Sequence, residues 1–321
     1  MRALVTGGAG FIGSHLVEKL LQSGRSVTAI DDLSTGNLNN LQKVKDNKSF
    51  KFVRGNVRNK EMIDPLIKDC DVVYHLAAAV GVQLIVDEPV RTIETNIHGC
   101  EVVLESANRY GKKVLIASTS EVYGKSEAVP FMEDDDTVLG STRFARWSYA
   151  CSKAIDEFLA FAYHDQFNLP VVIVRIFNTV GPRQIGQYGM VVPRFVKSAL
   201  KNEPVQIYGT GKQCRCFVHV SDVVGGFISL MQCEQAAGGI YNIGSDEEMS
   251  IEELADKIIA LTGSKSEKRY ISYEEAYGKE FDDMMRRVPS LEKINKVIGY
   301  KPKMSLEQTL QDVISDIKSK L

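Results

Sequence analysis

The chain has 321 residues, 44% of them hydrophobic and 25% charged, with a formal net charge of −2 and a pI near 6.3. That near-neutral balance supplies no broad basic field for nucleic acid or a membrane surface, so any anion site has to be local. No apolar run approaches the roughly 20 residues that cross a bilayer, and the length suits one large domain or two.

A strand that begins at Arg2 leaves no signal or transit peptide expected ahead of the fold. Cys70, Cys100, Cys151, Cys214, Cys216 and Cys233 are scattered, mostly in apolar segments, which suits a reduced cytoplasmic protein without disulfides. Cys214-x-Cys216 lacks a second pair or a nearby histidine, and His15, His75, His98, His164 and His219 show no ligand spacing, so no metal is expected.

Arg2–Thr6 reads as a short apolar strand. Gly7-Gly8-Ala9-Gly10-Phe11-Ile12-Gly13 follows, then an amphipathic helix to about Ser23, Gly24, and a second strand over Ser26–Ile30 ending in Asp31-Asp32. In such a βαβ unit Gly7, Gly10 and Gly13 permit the tight turn, close approach of backbone to a pyrophosphate, and close packing of helix on strand. Asp31 stands where an acid bonds the adenosine ribose hydroxyls, and its charge repels a 2′-phosphate, favouring NAD over NADP.

Strands are predicted at Phe50–Arg54, Val72–His75 and Lys113–Ala117, with a short helix at Lys60–Lys68 and a long one at Pro89–Tyr110 that carries Asn96. After Val72–His75 come Leu76-Ala77-Ala78-Ala79, small residues against which a flat cofactor can lie. The apolar run Val114–Ala117 passes abruptly into Ser118, Thr119, Ser120 and Glu121. In an open α/β sheet, ligands sit beyond the carboxyl ends of strands, and this is such an end. A further long helix lies within Ser141–Phe167, and a strand over Val171–Phe177 ends at Asn178. Alternating strands and helices imply an α/β, Rossmann-type doubly wound parallel sheet. We expect residues 1–178 to form the NAD-binding domain. Residues 179–321 are expected to form mainly a smaller C-terminal α/β substrate lobe, partly interleaved with the first.

Tyr149-Ala-Cys-Ser-Lys153 places a phenol and an ammonium on one helix face. A phenol titrates near 10. A nearby ammonium, helped by nicotinamide charge, favours the phenolate and lets it accept a hydroxyl proton at neutral pH.

With these parts in place the chain resembles the extended short-chain dehydrogenase/reductases that act on nucleotide sugars. The resemblance covers nearly the whole length: Thr6-Gly-Gly-Ala-Gly-Phe-Ile-Gly13, His75-Leu-Ala-Ala78, Ser118-Thr-Ser-Glu-Val-Tyr-Gly124, Tyr149-x-x-x-Lys153 and Arg175-Ile-Phe-Asn-Thr-Val-Gly-Pro-Arg183. It implies that Thr119 or Ser120 bonds the sugar 4-hydroxyl, that Tyr149 takes its proton, and that Lys153 orients the nicotinamide ribose. It also implies cofactor contacts from Phe11, Ile12, Asp32, Asn56, Val57, Leu76, Ala77, Ala78, Asn96 and Ser118, and a homodimer. Thr119-Ser120-Glu121 and Arg146-Trp147-x-Tyr149 look like UDP-glucuronate decarboxylases, because the Asp that precedes Glu in 4,6-dehydratases is Ser120 here. By the same resemblance Glu121 acts near the sugar carboxylate or in proton delivery. Arg287, in Arg286-Arg287-Val-Pro-Ser, meets that carboxylate; its high pKa makes it a poor acid, which favours charge neutralisation, with a water as donor. Asn178, Val191, Arg194, Lys197, Gln206, Tyr208 and Arg215 would hold the UDP moiety, with forked arginine contacts to phosphate. Asn56 replaces an Asp beside adenine in many relatives, and Val80-Gly81-Val82 replaces a Ser-Pro that follows His-Leu-Ala. The alternatives are a UDP-sugar 4-epimerase, sharing the first half-reaction, and a non-catalytic NAD-binding regulatory protein.

Overall fold

The computed structural model describes residues 1–81, 87–186, 190–277 and 284–321. Val82, singled out in the sequence, lies outside them. Strands β1 (Arg2–Thr6), β2 (Ser26–Asp31), β3 (Phe50–Arg54), β4 (Val72–His75), β5 (Lys113–Thr119) and β6 (Val171–Ile176) alternate with helices. Past two short strands β7 (Thr179–Val180) and β8 (Val205–Tyr208), the chain forms β9 (Cys214–Cys216), β10 (Val218–His219) and β11 (Gly239–Ile243). Strands β12 (Glu248–Ser250) and β13 (Lys268–Ile271) complete the set.

Seven strands form one sheet in the order β11-β6-β5-β4-β1-β2-β3, and every pairing in it is parallel. A parallel sheet is covered on both faces, which is why its strands are near-continuous apolar runs. One face packs Leu16, Val17 and Leu20 of the Phe11–Gln22 helix together with Val223, Phe227 and Leu230 of the Val220–Gln232 helix. The other packs Ile63 and Ile67, Cys100, Val103 and Leu104, and Ala160, from the Lys60–Asp69, Pro89–Tyr110 and Arg146–Phe167 helices. The strand order reverses between β1 and β4, and the crevice above such a reversal is where ligands bind.

A separate core joins Val192, Phe195 and Val196 to Leu254 and Ile258 and to Leu306, Leu310 and Val313. These come from the Val191–Leu200, Ile251–Thr262 and Leu306–Lys318 helices, the last two begun by capping boxes at Ser250 and Ser305. The stretch 179–321 thus divides its loyalties: β11 and the Val220–Gln232 helix complete the large sheet, and the three helices of the second core stand apart from it. Among the described residues no helix is long and apolar enough to cross a membrane.

Candidate active site

A cleft of about 970 Å³ runs from the glycine turn, across the ends of β4 and β5, to the second core. At its first end the glycines are there for lack of space. Gly7 adopts φ +69°, and a Cβ on it would meet the Ala77 amide nitrogen at 2.9 Å; one on Gly13 would fall 2.1 Å from the Gly7 carbonyl oxygen. Gly10, Phe11 and Ile12 line the cleft beside them. Asp31 closes β2 and is buried. Its Oδ2 accepts from the Ala9 amide at 3.0 Å and its Oδ1 from Leu33 at 2.8 Å. Burial pushes its pKa up, and those amides oppose the rise. Asp32 Oδ2 accepts from Asn56 Nδ2 at 2.9 Å, while Asn56 Oδ1 accepts from the Arg58 amide. Val57 is buried and lines the same end.

The turn Leu76-Ala77-Ala78 also lines the cleft. It is fixed from below by Thr6, whose Oγ1 accepts from the Leu76 and Ala77 amides, each at 3.2 Å, and bonds His75 Nδ1 at 2.9 Å. Asn96 does not reach the cleft wall. Its Oδ1 accepts from Ala79 at 2.9 Å and its Nδ2 donates to Ser152 Oγ at 3.1 Å, so it ties the cofactor turn to the catalytic helix. In this structure Asn96 supports the cofactor turn, with a hydrogen bond at each end of its buried amide. Ser118 lies on the wall, but its hydroxyl donates to Glu157.

Strand β5 runs two residues further than its apolar stretch, to Thr119, and a single 3₁₀ turn carries Ser120–Tyr123. Thr119 Oγ1 accepts from the Glu121 amide at 3.2 Å and meets the Tyr149 hydroxyl. Ser120 Oγ is buried at the cleft without a hydrogen-bond partner. Tyr149 and Lys153 lie on the Arg146–Phe167 helix. Burial pushes the Tyr149 phenol above its ordinary value; Lys153 pulls it down and Glu121 pushes it up again. The lowering expected from Lys153 alone is therefore outweighed, in the unliganded protein, by desolvation. Lys153 is not on the cleft wall either; its Nζ donates to Asp156 Oδ2 at 2.7 Å.

Glu121 sits among cations from three separate segments. Arg287 Nη2 lies 2.8 Å from Oε1, and Arg146 Nη2 lies 3.2 Å from Oε2. Arg287 is delivered there because Val288 and Ser290 pair with Phe131: the Phe131 amide donates to Val288 oxygen and the Ser290 amide to Phe131 oxygen, each at 2.8 Å. Burial alone would push the Glu121 carboxyl up, but Arg146, Arg287 and Arg215 bring it down to about 2. At neutral pH it is a carboxylate, the form in which it pairs with these cations.

At the far end Asn178 Nδ2 donates to Cys216 oxygen at 3.0 Å. The Arg194 guanidinium lies 3.9 Å above the Tyr208 ring, and its Nη1 donates to Gln206 oxygen at 2.9 Å. Val191, Arg194, Tyr208 and the buried Arg215 line the cleft. Lys197 and Gln206 do not: both residues are exposed, and Gln206 meets Arg194 through its backbone carbonyl. Arg146 was visible in the sequence only as part of a motif. Asp156 was missed, although its spacing of three from Lys153 was in view. Among the described residues no group of three His, Cys, Asp or Glu could hold a metal ion.

A dinucleotide-type cleft with a Tyr–Lys pair beside a strand-end hydroxyl defines an NAD-type oxidoreductase site on a doubly wound sheet. Residues 4–313 match the family described as GDP-mannose 4,6 dehydratase, and the chain belongs to that family. It is 42% identical to a UDP-N-acetyl-alpha-D-glucosaminuronate decarboxylase of Bacillus cytotoxicus, over 98% of this chain and 96% of the relative. It is 36% identical to UDP-glucuronic acid decarboxylase 2 of Arabidopsis thaliana, over 100% of this chain and 69% of the relative. Among solved structures, a UDP-glucuronic acid 4-epimerase from Bacillus cereus, in complex with UDP-glucuronic acid and NAD, is 30% identical. It superposes with a TM-score of 0.90 over the full length of both chains.

Proposed function

We propose that the chain is an NAD-dependent decarboxylase of a UDP-linked hexuronic acid, converting UDP-glucuronate to UDP-xylose. The observation that carries this reading is the charge around Glu121. Arg146, Arg215 and Arg287 converge on one carboxylate, and all four side chains line the cleft. Guanidinium forks match a carboxylate in geometry, and the carboxylate of a hexuronic acid supplies one.

The glycine turn, Asp31 with Asp32, Asn56 and Val57, and the Leu76–Ala78 turn are the residues that would hold NAD. When bound, NAD accepts the hydride of carbon 4 and returns it at the end of the cycle. Thr119 and Ser120 orient the 4-hydroxyl, and Tyr149 takes its proton. The resulting 4-keto group makes the sugar a β-keto acid. The bond from carbon 5 to the carboxyl carbon then breaks, and its electron pair is held as an enolate conjugated with the ketone. Glu121 fixes Arg287 and Arg146 where the carboxylate is bound and takes no part in proton transfer. A water protonates carbon 5, after which Tyr149 returns its proton to the oxygen at carbon 4. Arg194, stacked on Tyr208, with Asn178 and Arg215, forms the wall for the UDP moiety.

The Bacillus cytotoxicus relative favours a second substrate of the same class, the 2-acetamido hexuronate. The epimerase alternative uses the same oxidation and retains the carboxylate. Incubation with NAD and each UDP-hexuronate, followed by carbon dioxide release and sugar-nucleotide mass, separates these outcomes. Loss of the carboxyl group is expected; UDP-galacturonate at unchanged mass would replace decarboxylation by epimerisation. No turnover would leave a binding protein.

We further propose a homodimer, formed through the apolar side chains exposed on the paired Pro89–Tyr110 and Arg146–Phe167 helices. Val90 is 67% and Phe158 76% exposed there. Sedimentation of the same preparation at monomer mass would refute it. A cytoplasmic setting suits the six free thiols.

A further inference from the structure

We propose that Asp156 is a positioning residue for the oxidation: it anchors the Lys153 ammonium and sets the net charge that the Tyr149 hydroxyl meets. The inference rests on the reading of Tyr149 as the group that takes the 4-hydroxyl proton. Tyr149, Lys153 and Asp156 follow one another at spacings of four and three on a single helix, and so share a face. Lys153 Nζ and Asp156 Oδ2 are 2.7 Å apart, with side chains 2% and 1% exposed.

The neighbouring acid shows what a satisfied carboxylate looks like here. Glu157 takes Arg175 in a fork, at 3.0 and 2.7 Å, and accepts from the Ser118 hydroxyl. Asp156 has Lys153 as its ion-pair partner among the described residues, the Cys100 thiol adds a weak donor beside it, and no nitrogen or oxygen donor among those residues reaches its Oδ1. A carboxylate so buried keeps its charge through that cation, and the cation is spent on it in return.

Several groups face this pair. Thr119 and Glu121 come from the end of β5 and the turn after it, with Arg146 and Arg287 behind Glu121. Cys100, and Glu101 beyond it, come from the Pro89–Tyr110 helix. His75 comes from β4, and burial holds it neutral, its pKa pushed down to about 3. Glu157 is neutralised by Arg175. Within this set Lys153 draws the phenol down, while burial, Glu121 and Asp156 hold it up. Asp156 therefore screens the ammonium and keeps the proton on Tyr149 at higher pH. It exchanges no atom with the substrate; the bonds made and broken are those of the oxidation and its reversal.

In Asp156→Asn the Lys153 charge acts unopposed. The acid limb of turnover with UDP-glucuronate is expected to move down by about one pH unit, an ordinary shift for one nearby charge. Ultraviolet difference titration of the NAD-bound protein, wild type against Tyr149→Phe, reads the phenol without substrate and is expected to shift the same way when repeated in the Asp156→Asn background. Asp156→Glu keeps the wild-type profile. A limb and a phenol titration that stay in place or move up in Asp156→Asn overturn the proposal. Asp156→Ser is a second neutral variant, and failure of both to fold would make Asp156 a core group and also overturn it. Absence of turnover in the wild type would sink the decarboxylase reading, while the phenol titration still decides the role of Asp156.

Discussion

Glu121 and Asp156 are two carboxylates on either side of Tyr149, and they are paired in opposite ways. Glu121 meets Arg287 at 2.8 Å and Arg146 at 3.2 Å, with Arg215 adding to the field. Asp156 meets Lys153 at 2.7 Å in a pair that excludes water almost completely. The first cluster gathers three guanidinium groups on the cleft wall, where a substrate carboxylate can reach them. The second is a neutral pair closed off from solvent, and what it acts on in this structure is Tyr149. The construction differs in the same sense. Lys153–Asp156 is built within one helix, whereas the Glu121 cluster needs a loop, a helix end and two distant returns of the chain.

Breaking the closed pair is expected to have the largest effect. Lys153→Met leaves Asp156 buried without its cation, and loss of one partner of a buried pair destabilises by about 3–5 kcal/mol. Adding Asp156→Leu should recover most of that, since an apolar replacement removes the stranded charge. Urea denaturation of the single and double variants measures both; a single variant as stable as the wild type would show that the pair does not hold the charge.

Opening the other cluster touches chemistry more than fold. In Arg287→Met, Glu121 keeps Arg146 and Arg215, so the protein should fold and bind NAD normally. Decarboxylation should fall about 10²–10³-fold, the usual loss when one electrostatic contact to a reacting group is removed. Carbon dioxide release within a few-fold of wild type would remove Arg287 from the site.

The same contrast explains what could be seen in the sequence. Gly10, Gly13 and the Tyr149–Lys153 spacing were legible because each involves neighbours a few residues away, and Gly7 and Asp31 because a βαβ unit fixes their places at its turn and at the end of its second strand. The β5 hydroxyls were legible because an apolar strand that turns polar marks its own carboxyl end. Arg146 and Arg215 as partners of Glu121 were not, since the first depends on its helix packing against the Ser120–Tyr123 turn and the second on β9 pairing with β12. Asn96 and Ser118 were assigned outward because spacing cannot say that Ser152 and Glu157 would take their hydrogen bonds. Lys197 and Gln206 lay near the right elements, but the helix and strand turn those side chains to solvent. Asp156 illustrates the reverse case. An acid three residues from a lysine usually marks a solvated helix surface, and it is the packing of Cys100 from the neighbouring helix that makes this one a core pair.

The smallest expected effect lies in acid, and it separates Glu121 from the buried histidine. Glu121 falls from an ordinary value of 4.5 to about 2 on folding. Its contribution to stability is therefore complete above pH 4.5 and is lost as pH falls from 4.5 toward 2. His75 falls from 6.5 to about 3. Below pH 6.5 the unfolded chain takes up a proton that the folded protein refuses, so stability is already declining from pH 6.5 toward 3 on its account. Glu121→Gln should lower stability at neutral pH, by removing the carboxylate on which Arg146, Arg215 and Arg287 act, and should flatten the decline between pH 4.5 and 2. The slope between pH 6.5 and 4.5 belongs to His75 together with His15 and His219, whose pKa values burial also lowers, and should be unchanged. Urea titrations at pH 7, 5.5, 4 and 3 resolve the two windows. A variant that loses stability in parallel with the wild type below pH 4.5 would mean that the arginines do not hold the carboxylate, and the case for an anion site built around Glu121 would fall with it.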